Sequence, residues 1–233
     1  MSPRPVAAAV PPRVRERLLA CPDGPVPVLH RGPHTVYVAV GDRCVGVVSA
    51  AAVRVPCALR VAGADLSGLD TGSARVLGGV LHLGDTPLRP ARLLDVSVRA
   101  AAVDQSSVVE IPPSVIELVE TIGCGPGLTP ETDDVLCGWL AIHRAAGVPT
   151  PLLDARVRAA LHRTTLLSAT LLDCALHGEV VPEFAAYVAA LGTRDEPARA
   201  RALAGLGHTS GAALLRGARL GWTHLHRAGS HAA

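Results

Sequence analysis

The sequence predicts an α+β protein in which a β-rich region precedes a helical one. Between about residues 26 and 104, short valine-rich runs alternate with glycine, proline and Ser-Gly turn signals, whereas apolar residues recur at helical spacing after Pro112. Because strands cluster first and helices second, α+β is favoured over an alternating α/β order. The composition shift predicts two domains: residues 1–105, built of hairpins or a small barrel, and the helical residues 106–233.

Local patterns define the elements of the first region. Residues 13–20 form a candidate amphipathic helix, and a Pro/Gly break follows over residues 22–27. Valine-rich runs then predict strands, and Gly41-Asp42 predicts a tight turn between the first two of them. The predicted strands are residues 34–40, 44–49, 57–62, 74–83 and 91–98.

The second region begins after Ile111-Pro112-Pro113, where the apolar spacing changes from that of strands to that of helices. Proline or a hydroxyl residue stands at the start of most of the apolar segments, as is usual at helix beginnings. The predicted helices are residues 113–122, 130–146, 151–163, 165–177, 182–191 and 209–221.

Composition excludes several classes of function. The chain has no lysine, which excludes a Walker lysine, a Schiff base and a lysine general base. A net charge of +2 and an aromatic content of 2% give no basis for a nucleic-acid partner. The six cysteines form no CxxC pair and match no zinc spacing, so we expect buried thiols in a reducing cytoplasm. No apolar run approaches the roughly 18 residues of a membrane span, so no membrane partner is expected.

The most specific segment is residues 123–134, Gly-Cys-Gly-Pro-Gly-Leu-Thr-Pro-Glu-Thr-Asp-Asp. Gly125 and Gly127 leave backbone N–H groups open to a ligand. Thr129 is predicted to cap a helix that has Pro130 at its first position. The segment is therefore a candidate ligand-binding turn at the positive end of a helix.

Asp133 and Asp134 follow in the opening turn of that predicted helix. Helix N-terminal N–H groups attract anions, but adjacent carboxylates repel them, so the pattern favours a ligand with both donors and acceptors, such as a carbamoyl or amide group. A divalent metal near the two carboxylates is a second way to resolve the conflict. Alternatively, the carboxylates only complement the helix dipole.

Hydroxyl groups open the predicted helix over residues 165–177. Thr164, Thr165 and Ser168 lie within one helical turn of each other, and His177-Gly178 is a suitable C-terminal stop. These hydroxyls are candidate ligand contacts, or they cap the helix and bond to its backbone.

A third segment is Gly207-His208-Thr209-Ser210-Gly211. Thr209 or Ser210 is predicted to cap the last helix, and the glycines keep its N–H groups open, which describes a cradle for an anionic or polar ligand. An imidazole can both give and take a proton, so His208 is a candidate acid, base or hydrogen-bond donor. The alternative is a capping turn with an exposed histidine.

Together the three segments resemble the AllH family, whose members include a subunit of oxamate carbamoyltransferase in allantoin breakdown. The resemblance covers about residues 110 to 222, while the N-terminal region is similar only in its general β-type residue pattern. One departure is Glu131-Thr132, where family members usually carry Ser-Gly, which leaves the identity of the substrate open. The matching residues are Gly125-Pro126-Gly127-Leu128-Thr129-Pro130 with Asp133-Asp134, Thr164-Thr165 with Ser168, and Gly207-His208-Thr209-Ser210-Gly211.

The resemblance implies a subunit of a hetero-oligomeric carbamoyltransferase that works with companion subunits on carbamoyl phosphate or a small carboxylate or amide. Asp133, Asp134 and His208 are the expected catalytic residues, and no cofactor beyond the metal considered above is predicted. A rival hypothesis is a non-catalytic subunit that binds a small molecule or acts as a scaffold, and a third is that the loops only organise helix packing. The expected ligand-binding residues are Gly125, Gly127, Thr129, Thr164, Thr165, Ser168, Thr209, Ser210 and Gly211.

Overall fold

The computed structural model describes residues 4–99 and 111–230, with side chains described as far as residue 226. The chain divides into two compact units, residues 1–96 and residues 97–233. Strands dominate the described part of the first unit and helices that of the second, so the predicted α+β class is confirmed. The domain boundary predicted near residue 105 lies outside the described residues.

The described part of the first unit contains one helix and nine strands. Helix α1 spans Pro12–Ala20 and buries Val14 and Leu18, as predicted for an amphipathic segment. The strands are β1 (Val6–Val10), β2 (Gly24–Pro25), β3 (Val28–Arg31), β4 (Thr35–Val40), β5 (Arg43–Val48), β6 (Ala58–Val61), β7 (Ala74–Leu77), β8 (Val80–Leu83) and β9 (Thr86–Leu93).

All nine strands belong to one mixed sheet with the order β2-β7-β8-β9-β1-β6-β5-β4-β3. Strand β1 lies in the middle, parallel to β9 and antiparallel to β6. The predicted tight turn is confirmed, because Val40 pairs with Arg43 and Gly41 has a φ of +61°. The order has β2 and β3 at its ends, but only two residues separate these strands in the chain. The Val26 N–H donates to the Ala74 carbonyl oxygen on β7, and the Ala39 N–H on β4 donates to the Pro27 carbonyl oxygen, both at 2.9 Å. The sheet is therefore curled and its two ends are linked, as the small-barrel alternative of the prediction requires.

The core of the first unit is aliphatic, as its composition requires. Valines on β4 and β5 are fully buried and pack with Leu59, Leu81 and Leu88. Burying such branched side chains removes apolar surface from water and stabilises the unit by roughly 1.5–3 kcal/mol for each fully buried side chain.

Two strand predictions had wrong bounds, and β1, β2 and β3 were not predicted as strands. Strand β1 was not predicted, because its Val-Ala-Ala-Ala-Val sequence has low β-propensity. Residues 74–83 are two strands, since Gly78 and Gly79 take φ values of +54° and +73° and form a two-residue turn. The last strand spans 86–93 and not 91–98, because it pairs in register with β1.

The second unit contains seven described α-helices and one 3₁₀ turn at Leu161–Arg163. Six of the helices match predicted segments. The unpredicted one is α7, which is mostly exposed and buries only Ala200 and Leu203, so it carries no clear apolar period. The helices are α2 (Pro113–Glu120), α3 (Glu131–Ala145), α4 (Pro151–Ala160), α5 (Leu166–Leu176), α6 (Pro182–Ala189), α7 (Glu196–Ala204) and α8 (Ser210–Ser230). No helix in the described ranges has the length and apolarity required to cross a membrane.

Helix α3 lies at the centre of this unit and packs closely against α8. A Cβ atom added at Gly138 would lie 2.1 Å from the Leu214 carbonyl oxygen, and one added at Gly217 would lie 1.9 Å from that of Val135. Only glycine allows two helix backbones to approach this closely. The close packing fixes the position of α8 along α3, whose buried face includes Leu136, Trp139 and Leu140.

Candidate functional site

Helix α3 begins one residue later than predicted. Pro130 is the N-cap residue, with φ −54° and ψ 140°, and Glu131 is the first helical residue. The Pro130 carbonyl oxygen accepts the N–H groups of Asp133 and Asp134 at 3.1 and 3.2 Å. The prediction that Thr129 caps the helix is therefore wrong, since proline's fixed φ suits the extended cap position here and the Thr129 side chain makes a different contact.

Asp133 joins the first two motifs. Its carboxylate is fully buried, and its Oδ1 accepts a hydrogen bond from the Gly123 backbone N–H at 2.9 Å. Its Oδ2 accepts hydrogen bonds from the hydroxyls of Thr164 and Ser168, both at 2.6 Å. The protein itself supplies three donors to this carboxylate, so Asp133 holds the glycine loop against the start of α5.

A second contact between the same segments comes from Thr165. Thr165 caps α5 by accepting the Ser168 N–H at 3.1 Å, which is the capping alternative given for these hydroxyls, and its own hydroxyl donates to the Leu128 carbonyl oxygen at 2.5 Å. Gly123 must be glycine here, because its φ is +83° and an added Cβ would lie 2.1 Å from the Arg163 carbonyl oxygen. The glycine loop and the start of α5 therefore form one hydrogen-bonded unit.

Asp134 lies on the other side of the first turn of α3, next to the third motif. Its side chain is hydrogen-bonded by Ser210 and Thr129, whose hydroxyl oxygens lie 3.0 Å apart. The residue is only 4% exposed, and its Oδ2 has no hydrogen-bond partner among the described residues. We refer to Thr129, Asp134 and Ser210 as the Asp134 cluster.

Burial raises the pKa of Asp134 to about 6. The hydrogen bonds from Ser210 and Thr129 oppose this effect, and the nearby carboxylates of Asp133 and Glu131 add to it. The carboxyl group therefore changes its charge within reach of neutral pH.

The other residues of the third motif either pack between helices or are exposed to solvent. Ser210 opens α8, and an added Cβ at Gly211 would lie 2.1 Å from the Leu203 carbonyl oxygen, so Gly211 lets α7 approach α8. The backbone carbonyl of Thr209 accepts the Ala213 N–H, while its side chain is exposed. His208 is exposed, and among the described residues no hydrogen bond or ion pair joins its side chain to the Asp134 cluster. Of this motif, only Ser210 joins the cluster.

Sequence reasoning missed Arg216. Its guanidinium forms an ion pair with Glu131 at 2.8 Å, and both side chains are about half exposed. Glu131 stands where the resemblance leads one to expect serine. This additional acid beside two aspartates was the sequence feature from which a basic partner could have been predicted. Arg216 offsets part of the negative charge at the start of α3.

The structure does not bring a metal-ligand set to the two aspartates. In the described part of the chain, no group of three or more His, Cys, Asp or Glu side chains is placed to hold a metal ion. Both oxygens of Asp133 already accept protein hydrogen bonds. The Asp133 carboxylate is therefore bound by donors of the protein itself.

A second buried polar group lies further along α3. His143 is fully buried and stacks on Trp139, and its Nδ1 donates to the Trp139 carbonyl oxygen at 2.8 Å. Its Nε2 is then the acceptor for the Nδ1–H of His224, 3.2 Å away. Burial lowers the pKa of His143 to about 3, so this histidine is neutral at physiological pH.

Comparison with known proteins gives one finding. Residues 121–222 match the family model described as oxamate carbamoyltransferase subunit AllH. No curated protein and no solved structure gives a match to the chain. The family match confirms the resemblance to AllH over residues 121–222, the segment that contains all three motifs.

Proposed function

We propose that this protein is an AllH-like subunit of a hetero-oligomeric carbamoyltransferase of oxamate or ureide nitrogen metabolism. In this proposal it acts in the cytoplasm with companion subunits, and its motif segments form a polar site for a carbamoyl or small carboxylate ligand. The observation that carries the proposal is the Thr129–Ser210 contact beside Asp134, which joins segments 81 residues apart inside the matched region.

The geometry supports separate roles for the two aspartates. Asp133 makes three hydrogen bonds to the protein, so we assign it a positioning role, in which it acts through the glycine loop, Thr164 and Ser168. Asp134 retains an unused acceptor atom and is the group we place in contact with ligand. Its hydroxyl neighbours supply donors to a carbonyl oxygen on which negative charge develops during acyl transfer.

The remaining motif residues complete the proposed site. Gly125 and Gly127 lie in the exposed loop with φ values of +128° and +92°, and their missing side chains leave backbone N–H groups open to a carboxylate or phosphate. His208 is exposed at the turn before α8, where a bound substrate or a companion subunit brings it into proton transfer.

The test is carbamoyl transfer by the complex co-expressed from the neighbouring genes, with carbamoyl phosphate as donor. We expect Asp134→Asn and His208→Ala each to lower the rate by about 10²-fold or more. Glu117→Gln is the matched control, because Glu117 is an exposed carboxylate on α2, away from the motifs. Undiminished transfer by both variants contradicts the proposed roles.

A non-catalytic binding subunit is the second candidate function. It is favoured by the exposed position of His208, which has no hydrogen bond or ion pair to the Asp134 cluster among the described residues. Calorimetric titration of the full chain with carbamoyl phosphate, oxamate and ureides, combined with the variant assay, separates the two functions. Ligand binding that Asp134→Asn abolishes, in a complex whose transfer rate is unchanged, supports the binding subunit.

A further inference from the structure

The feature that calls for explanation is the unpaired oxygen of Asp134. The residue is 4% exposed, and Oδ2 has no hydrogen-bond partner in the described part of the chain. A buried acceptor without a donor costs stability, so native proteins rarely retain one without a functional reason.

The adjacent aspartate shows that the fold can satisfy a buried carboxylate at this place. Asp133 precedes Asp134 in the same helical turn, yet it receives one backbone N–H and two hydroxyl donors. Burial at the start of α3 therefore does not by itself leave a carboxylate without donors. The lack of a donor is specific to the Asp134 side chain.

The groups around Asp134 indicate which donor is suitable. The Thr129 and Ser210 hydroxyls are half-buried, and each can donate to a ligand oxygen when it turns away from the other. Glu131 and Asp133 add negative charge nearby, which disfavours an anionic group at Oδ2. An ammonium group suits the charge but offers no acceptor to the two hydroxyls, whereas a primary amide offers an N–H donor and a carbonyl oxygen together.

We propose that Asp134 Oδ2 accepts an N–H of a primary amide or carbamoyl ligand while the Thr129 or Ser210 hydroxyl donates to the carbonyl oxygen of the same group. This inference rests on the proposed function and deepens it. The Asp134 cluster then selects the amide nitrogen of the ligand.

The experiment compares oxamate with pyruvate, in which a methyl group replaces the amide NH₂ of oxamate. Calorimetric titration of the full chain at pH 7.5 is expected to show oxamate binding roughly tenfold tighter than pyruvate or more, because only oxamate donates to Oδ2. Asp134→Leu has a similar size and no acceptor, and it is expected to remove the preference. Glu117→Gln is expected to retain it.

A second variant covers the case in which Asp134→Leu does not fold, as judged by tryptophan fluorescence. Ser210→Ala removes one hydroxyl donor and is expected to weaken oxamate binding severalfold while oxamate remains the preferred ligand. The inference is overturned if oxamate and pyruvate bind equally, or if the preference for oxamate survives Asp134→Leu. It is also overturned if methylammonium binds more tightly than acetamide, or if oxamate does not bind at millimolar concentration. If the complex still transfers carbamoyl groups in that case, the inference alone fails and the proposed function stands.

Discussion

The two units of the molecule bury polar side chains very differently. Among the described residues, Ser49 is the buried polar side chain of the first unit, whereas the second unit buries Asp133, Asp134, His143 and four others. In the sheet, the backbone groups satisfy one another and the core is filled by valine and leucine. In the helical unit, buried polar side chains hold loops and helix ends together. The difference teaches that, among the described residues, polar side chains are used as internal connections in the helical unit and hardly at all in the sheet unit.

The comparison can be tested because both tryptophans of the chain, Trp139 and Trp222, belong to the helical unit. Tryptophan fluorescence therefore reports the unfolding of that unit. Circular dichroism reports both units.

The largest effect is expected for Asp133→Ala. The substitution removes three hydrogen bonds and leaves the Thr164 and Ser168 hydroxyls without their buried acceptor. We expect the free energy of unfolding of the helical unit to fall by about 3–5 kcal/mol, as measured by urea denaturation with tryptophan fluorescence. Glu117→Ala on α2 is the control. A loss below about 1 kcal/mol would show that the buried carboxylate is not what holds the loop to α5.

The next effect is expected for Gly217→Ala, which tests whether α3 and α8 depend on close backbone contact. The new Cβ would lie 1.9 Å from the Val135 carbonyl oxygen, so the helices must separate. We expect a loss of about 3 kcal/mol in the same assay. Gly205→Ala is the matched control, because its nearest neighbouring atom lies 3.5 Å from the added Cβ and its φ is −78°. Equal stability of the two variants would contradict the described packing.

A third prediction concerns pH and Asp134. The folded-state pKa of about 6 lies above the ordinary aspartate value of 3.8, so the native state binds the extra proton and the stabilising contribution is full below pH 3.8. That contribution is lost as the pH rises through 6, and it amounts to at most about 3 kcal/mol.

Asp134→Asn removes this titration. We therefore expect the stability of the variant relative to the wild type to increase between pH 4 and pH 7, as measured by thermal unfolding across that range. His143, whose pKa is lowered to about 3, acts in the opposite direction, but it is present in both proteins and cancels in the difference. A pH-independent difference would refute the raised pKa.

The smallest effect is expected in the sheet unit, from Ser49→Ala. The Ser49 hydroxyl lies 3.3 Å from the Nδ1 of His34, and its loss costs one hydrogen bond. We expect a change of about 1 kcal/mol or less in unfolding followed by circular dichroism, with tryptophan fluorescence unchanged. A loss as large as that of Asp133→Ala would remove the contrast between the units.

Sequence patterns predicted elements best where one local signal was sufficient. Gly178, with a φ of +70°, ends α5 as predicted, and Thr165 at its start follows the capping alternative, because capping and left-handed glycine are properties of a few neighbouring residues. The sequence patterns missed strand β1 for the opposite reason. Its alanines become a central strand only because β6 and β9 lie on either side.

The candidate site was predicted in part for the same reason. The patterns placed Asp133 and Asp134 in a first helical turn, and the structure agrees. They could not distinguish the two carboxylates, since the difference lies in donors that come from Gly123, Thr164 and Ser168 in one case and from Thr129 and Ser210 in the other. The Thr129 cap was wrong because Pro130 also suits the cap position.

The sequence separation of these contacts has a consequence for synthesis of the chain. Asp133 meets Thr164 and Ser168, which are 31 and 35 residues away, but Thr129 meets Ser210 at a separation of 81 residues. On a ribosome, the Asp133 junction can form while α8 is still in the exit tunnel, whereas the Asp134 cluster must wait for Ser210 to emerge. A nascent or prematurely terminated chain that ends before α8 therefore contains every residue of the first junction but lacks Ser210, so it cannot close the cluster around Asp134.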